Sequence, residues 1–302
     1  MGPSIANESK NCTLVAEEAD LWLSTGRMIR KIEPATLDTS LITVNFRTIG
    51  RLERLLETVE RHRPQASHEF IVVENGSPDP TEHLLNTRFP WARYHRAENR
   101  GFAAGNNRGM ELGHGRYFLL LNPDVEIFPG MIDAWIRWMD AHPEVGISGP
   151  RLVYPDQTHQ PAAFHFHRLL TPLLRRTRLG ETDWGKRQLG QYERVIPQEV
   201  GEEGIEAEWL LGAALCLRRE TAVALGGLDE QFFLYFEDED LCRRAWRAGY
   251  RVTHLPHITL QHAYGKLSHT TSWKDIFRKR AVREHVKSFL RYFARYGFKT
   301  TP

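Results

Sequence analysis

The sequence predicts an α/β domain with a mostly parallel sheet flanked by helices, followed by an amphipathic C-terminal helix. Three observations carry this. Apolar runs of strand length alternate with segments of helical period from Leu41 onward, and turn-type residues close each strand. Residues 273–302 then place Val282, Val286, Phe289, Phe293 and Tyr296 at helical spacing among nine basic and two acidic residues. Strands separated by helices imply parallel pairing, because parallel neighbours need a crossover that a helix commonly supplies.

The elements follow in order. Residues 1–38 are polar apart from a short amphipathic stretch between Leu21 and Ile32, and they read as a peripheral extension. A strand at Leu41–Phe46, helical spacing of Leu52, Leu55, Leu56 and Val59, and a strand at Phe70–Val73 make a first β-α-β unit. A short strand near Arg93–His95, a helix over Phe102–Leu112 and an apolar strand at Tyr117–Leu121 continue the alternation. A helix with Met131, Trp135, Trp138 and Met139 on one side leads to a strand at Val145–Ser148. Residues 155–205, with the basic stretch Arg175-Arg176-Thr177-Arg178, lose periodicity and read as a long surface excursion of the lid or binding-loop kind. Order returns in the strand-like run Glu208–Arg218 and in a helix beginning near Glu237. The chain thus divides into an extension (1–38), a first half (39–150), a second half (151–268) and a basic helical segment (269–302).

Composition narrows the function classes. With 41% apolar and 26% charged residues the chain is of folded, water-soluble type, and a net charge of +2 gives no field that calls for nucleic acid. Three widely spaced cysteines, Cys12, Cys216 and Cys242, make neither a disulfide framework nor paired zinc ligands, so a cytoplasmic location is expected. Neither a bilayer-spanning run nor the order of a secretory signal is present. The glycosylation-type triplets at Asn7, Asn11 and Asn75 are therefore discounted.

Ligands of open α/β sheets collect outside the carboxyl ends of the strands. Three such ends are polar here: Glu74-Asn75-Gly76-Ser77, Asn99-Arg100-Gly101 and Asn122-Pro123-Asp124. Each is also ordinary turn chemistry, but all three fall on one rim. Asp124, held at a strand end by Pro123, suits a hard divalent cation such as Mg²⁺ or Mn²⁺. The cluster from Asn99 to Gly109 opens a helix, where backbone N–H groups attract phosphate, and Arg100, Asn106 and Asn107 add donors. Tight packing of the helix on the sheet through Gly105 and Gly109 is the structural alternative.

In the run Phe236-Glu237-Asp238-Glu239-Asp240, the pairs Glu239–Arg243 and Asp240–Arg244 have favourable i,i+4 spacing. Glu237 and Asp238 have no such partner and follow an apolar aromatic run, where a carboxylate with a raised pKa can serve as general base.

Taken together, Glu74-Asn75-Gly76-Ser77, Asn99 to Gly109, Leu121-Asn122-Pro123-Asp124-Val125, Gly212-Ala213, Phe232-Phe233-x-Tyr-x-Glu-Asp-x-Asp-Leu and His262 closely resemble family 2 glycosyltransferases of the GT-A fold, the bacterial rhamnosyltransferase group above all. The resemblance covers roughly residues 40–265 in ordered motifs.

It implies that Glu74, where relatives carry Asp, addresses the nucleotide base. Asn75, Asn99, Arg100, Gly101, Asn106, Asn107 and Asn122 then bind the rest of the nucleotide sugar. The metal-binding D-x-D element becomes Asn122-Pro123-Asp124, leaving Asp124 as principal ligand, with His262 completing the site. Asp238 becomes the base with Glu237 beside it, and residues 155–205 with Trp209, Gly212 and Ala213 become the acceptor side, which also excludes water.

The implied activity is an inverting, divalent-metal-dependent transfer. L-Rhamnose would move from dTDP-rhamnose, or another sugar from a dTDP or UDP carrier, to a hydroxyl of a glycan or lipid-linked saccharide in cell-surface polysaccharide synthesis. A sugar nucleotidyltransferase is the enzymatic alternative, though Asn45-Phe46-Arg47-Thr48 lacks its Gly-rich basic signature. A degenerate sugar-nucleotide-binding protein is the other, and Asp124 and Asp238 argue against it. The basic C-terminal helix has two readings: its apolar stripe packs on the domain, or it rests peripherally on an anionic membrane.

Overall fold

The apolar run that starts at Leu41 forms the inner part of β1 (Leu37–Asn45) in the computed structural model of the chain. The structure describes residues 34–167, 171–174, 178–190, 192, 201–263 and 280–297. The stretch Leu21–Ile32 with nearly all of the N-terminal extension, the basic residues Arg175-Arg176-Thr177 and residues 264–279 lie outside the described residues.

After β1 come α1 (Ile49–Arg61), β2 (His68–Asn75), α2 (Thr81–Arg88), β3 (Ala92–Ala97), α3 (Phe102–Leu112) and β4 (Gly115–Leu121). The four strands pair in parallel in the order β3-β2-β1-β4. The strand order reverses between β1 and β4, so the crevice above their carboxyl ends is a topological switch point.

The second half continues with β5 (Val125–Ile127), α4 (Met131–Ala141), β6 (Val145–Val153), β7 (His159–Gln160), β8 (Ala163–Phe164), α5 (Thr171–Leu174) and α6 (Asp183–Gly190). Then follow β9 (Ile205–Glu206), β10 (Trp209–Leu210), β11 (Ala214–Arg218), α7 (Arg219–Leu225), α8 (Glu237–Arg247), β12 (Arg251–His262) and α9 (Arg280–Tyr296).

The sheet extends from β4 through β11, β6 and β12 to β5. β11 is antiparallel to both β4 and β6, whereas β6 and β12 are parallel. The expected single strand Glu208–Arg218 is therefore two strands, because β10 leaves to pair with β8 and Leu211-Gly212-Ala213 bridge the gap.

Alternation along the strands sorts the core into two layers. Leu41, Phe70, Val72, Tyr117 and Leu119 face α1 and α4, which bury Leu52, Leu55, Leu56, Val59, Trp135 and Met139 against them. Ile42, Val44, Ile71, Val73, Phe118 and Leu120 face α3 and α8. A Cβ on Gly105 would lie 2.7 Å from Val44 Cγ1, so α3 sits on the sheet through its glycine face. α9 covers a third cluster: Tyr292 and Tyr296 are buried with Phe232 and Phe236, and Phe289 and Phe293 pack against them. Its apolar stripe is thus covered by the 229–240 region, as the packing reading expects.

Candidate active site

The turn after β2 is built around Glu74. Its carboxylate is buried and accepts hydrogen bonds from Asn45 Nδ2 at 2.7 Å, Thr81 Oγ1 at 2.5 Å and the backbone N–H of Ser77 at 3.0 Å. Glu74 therefore braces the 74–81 turn against β1. Beside it lies a cavity of about 290 Å³ whose walls include Ser77, Asp79, Tyr94 and Arg96. Asn75 donates to the carbonyl of Gly101 at 3.1 Å, and Asn99 Oδ1 accepts from the N–H of Gly101 at 3.2 Å, so the turns after β2 and β3 are tied together.

Gly101 stands at φ +109°, and a Cβ there would lie 2.5 Å from the carbonyl oxygen of Phe233. Only glycine lets the start of α3 approach the 229–237 segment so closely. That seam is closed from several sides. The N–H of Phe102 donates to Phe233 O at 2.8 Å. Asn107 exchanges two hydrogen bonds with the backbone of Leu228, each 2.8 Å long. Arg100 pairs with Glu230 at 3.2 Å. Asn106 and Asn107 are both buried, and Asn106 bonds the Phe102 carbonyl, so neither side chain reaches an open surface. Arg100 stays on the rim.

Asp124 follows β4, where the backbone is pinned on both sides: Asn122 N–H donates to Ala213 O at 2.8 Å and Ala263 N–H to Asp124 O at 2.9 Å. This brings Asp124 Oδ1 to 3.3 Å from His262 Nε2, as β5 and β12 pair Val125 with His262. His262 is buried, and its Nδ1 lies 3.0 Å from Gln160 Oε1. An amide oxygen only accepts, so Nδ1 is the donor to Gln160, and Nε2 is the ring nitrogen turned toward the carboxylate.

A carboxylate oxygen and an imidazole nitrogen set face to face are a ligand pair that fits a divalent cation of the Mn²⁺ type, and the Gln160 contact is the supporting shell such ligands commonly have. Asn122 Oδ1 in the same turn is buried without a hydrogen-bond partner. Among the described residues no group of three His, Cys, Asp or Glu side chains could hold a metal, so an ion here would draw further ligands from a bound molecule. Arg51 Nη1 already neutralises the other carboxylate oxygen of Asp124 at 2.9 Å.

The acidic run begins α8 after two residues in the left-handed region, Tyr235 and Phe236, each at φ +69°. Such a conformation costs a side-chain-bearing residue on the order of 1–2 kcal/mol. Asp240 is buried and bonds Arg244 Nε at 2.8 Å, the expected i,i+4 pair, together with Arg295 Nη1 at 2.8 Å and Tyr296 OH at 2.6 Å. The pairing expected for Glu239 with Arg243 is replaced. Glu239 accepts from the His167 N–H at 2.7 Å, from His167 Nδ1 and from Tyr292 OH at 2.8 Å. Arg243 lies over the ring of Phe166, 4.1 Å from its centroid. Long-range partners outbid the local one because Glu239 is fully buried.

Glu237 is buried with Oε2 lacking a hydrogen-bond partner, and burial followed by the neighbouring Asp238 pushes its pKa well above the usual range. Asp238 alone of the four acids keeps partial exposure. Its Oδ2 accepts from Gly212 N–H at 2.9 Å and its Oδ1 from Glu239 N–H at 3.0 Å. Burial outweighs these bonds and raises its pKa to about 6.

The two distant acids are joined by a short path. Asp238 holds Gly212, the next residue Ala213 holds Asn122, and Asp124 stands two residues on. Both carboxylates therefore lie at one end of the sheet. Trp209 does not open onto this space: it is buried, stacks on Phe164 at 4.7 Å and donates Nε1–H to His165 O at 2.9 Å. It supports the 163–167 turn instead. The supporting residues that sequence reasoning missed are Asn45, Arg51, Gln160 and His167. Only Asn45, at the end of an apolar strand, carried a local signal.

The parallel half of the sheet thus ends in Asn-Pro-Asp, and the first turn of α8 sets a second acid, Asp238, against the Gly212 loop that leads into the antiparallel strand β11. Residues 40–191 match the family described as Glycosyl transferase family 2. The chain belongs to that family and is a glycosyltransferase. It is 28% identical over 246 residues to the N-acetylglucosaminyl-diphospho-decaprenol L-rhamnosyltransferase of Mycobacterium tuberculosis, covering 74% of this chain and 75% of that protein. Its fold matches GalNAc-T7 with UDP, GalNAc and Mn²⁺ at a TM-score of 0.60 and 14% identity, over 86% of this chain and half of that one. It also matches a Pyrobaculum calidifontis mannosyltransferase with GDP-Man and Mn²⁺ at 0.52 and 16%, over 97% of this chain and 85% of that one. Among the described residues no helix is long and apolar enough to cross a membrane.

Proposed function

We infer that this glycosyltransferase moves L-rhamnose from a dTDP carrier to a hydroxyl of a lipid-linked saccharide, with inversion at the anomeric carbon. The transferred sugar and the acceptor class follow the name of the mycobacterial relative, an N-acetylglucosaminyl-diphospho-decaprenol L-rhamnosyltransferase, and the dTDP carrier follows the motif resemblance set out above. The observation that carries the chemistry is Asp238, partly exposed, bonded to Gly212 at 2.9 Å and raised to about pKa 6, at the same sheet end as Asp124.

Asp238 takes the proton of the acceptor hydroxyl as its oxygen attacks the anomeric carbon, and the bond to the nucleoside diphosphate breaks on the opposite face. Gly212 N–H and Glu239 N–H fix the carboxylate for that transfer. Asp124 and His262 would hold the divalent cation, with Gln160 fixing the imidazole. When bound, the ion supplies positive charge that offsets the growing charge of the leaving diphosphate. Arg100 and the turns at Asn75 and Asn99 border the donor side, and the 163–167 turn, backed by Trp209, borders the acceptor side.

Asp238→Asn tests the reading. It should keep dTDP-rhamnose binding, followed by ligand-dependent thermal stabilisation, while transfer falls by about 10²- to 10⁴-fold. Near-normal turnover would remove Asp238 from the role of base.

A further inference from the structure

We propose that helix α9 is a positioning element of the reaction, with Tyr292 as the residue through which it acts on the base. The inference rests on the reading of Asp238 given above. It begins with the two consecutive left-handed residues, Tyr235 and Phe236, both at φ +69°. Neither is glycine, so the conformation persists only where surrounding contacts over-determine it. His167 packs on Phe236 from one side, and α9 supplies further contacts along the whole segment.

Tyr235 packs on His285 with ring centroids 4.5 Å apart, and Phe236 packs on Tyr292 at 5.2 Å and on Phe289 at 6.2 Å. Ser288 Oγ donates to the Leu234 carbonyl at 3.0 Å. Arg291 donates to the Gln231 carbonyl. Arg295 reaches Asp229 at 2.6 Å and Asp240 at 2.8 Å. Contacts spaced along α9 thus hold the segment from 229 to 240, and Asp238 lies inside it.

The hydroxyl of Tyr292 makes the connection to the base specific. It donates to Glu239 Oε1, and the Glu239 N–H donates in turn to Asp238 Oδ1 at 3.0 Å. From the opposite side His167 supplies its N–H and imidazole to the same Glu239 carboxylate, and Tyr192 OH lies 3.0 Å from His167 Nε2. Glu239 is therefore gripped between the terminal helix and the acceptor-side excursion, and its negative charge is held one residue from the base. Tyr292 touches neither the base nor an open surface; it acts through Glu239.

The experiment compares full-length Tyr292→Phe with Leu290→Ala, a change on the exposed side of the same helix. Tyr292→Phe keeps the ring and removes the donor. Its kcat should fall roughly tenfold, the size expected for losing one hydrogen bond to a charged group, with the donor KM unchanged within about twofold. Leu290→Ala should leave both quantities where they are.

An unaltered kcat in Tyr292→Phe would overturn the proposal, as would a donor KM that rises in step with the fall in kcat. Amide exchange gives a readout independent of turnover: Tyr292→Phe should speed exchange at Glu239 and Asp240 roughly tenfold while β1 and β4 stay protected. Unchanged exchange there refutes the clamp. A wild-type protein that transfers no sugar refutes the proposed reaction and leaves the exchange test standing.

Discussion

Four carboxylates stand side by side at the start of α8, and their surroundings give each a different chemistry. Asp240 is neutralised by Arg244 and Arg295, Glu239 is bonded by His167 and Tyr292, and Glu237 is buried with an orphan oxygen. Asp238 combines partial exposure with a pKa of about 6. A base works only when ionised, and burial here shifts the pKa upward. The protonated, inactive form therefore accumulates as pH falls through that value. The kcat/KM of the wild type should accordingly drop about tenfold per pH unit below 6 and level off above about 7, as a pH–rate profile would show. A limb centred near 4, the ordinary carboxylate range, would contradict the assignment. At this scale the sequence was half legible. It singled out Glu237 and Asp238 because their i+4 positions hold no cation, but it assigned Glu239 to Arg243, since a partner 72 residues away leaves no local trace.

Between residues and the molecule lie the seams where elements meet, and the tightest is that of α3 with the segment before α8. Gly101→Ala would force a side chain into the left-handed region and against the Phe233 backbone, so both must shift. The conformational part alone costs about 1–2 kcal/mol. Urea unfolding should show a loss of at least that size, together with slower transfer, because the displaced segment leads directly into the first turn of α8, which carries Asp238. Elements with strong apolar periodicity were read to within a few residues: α3 over Phe102–Leu112, and the strands β1, β2 and β4. α2 went unseen because it buries only Thr81 and Leu85. β12 went unseen because Thr253, His254 and His262 are buried polar residues that interrupt its apolar alternation.

For the molecule as a whole, the candidate metal pair depends on long-range assembly, because Asp124 and His262 come from strands far apart in sequence that only the sheet brings to 3.3 Å. Chelation should abolish transfer, with Mn²⁺ restoring it. Gln160→Ala, which frees the imidazole ring, should raise the Mn²⁺ needed for half-maximal rate by about 10- to 100-fold, measurable by titrating activity against metal. The motif order pointed to this candidate pair, whereas the contacts of Gln160 and Arg51 with it became visible only in three dimensions.

β11 has one consequence that reaches across the molecule. Its backbone is bonded to β4 on one side and β6 on the other, so a single ladder crosses the middle of the protein without a break. A protein laced through its centre in this way cannot open like a clamshell. Movement that admits a donor or releases a product is therefore expected in surface segments, with the strands flanking β11 held in register.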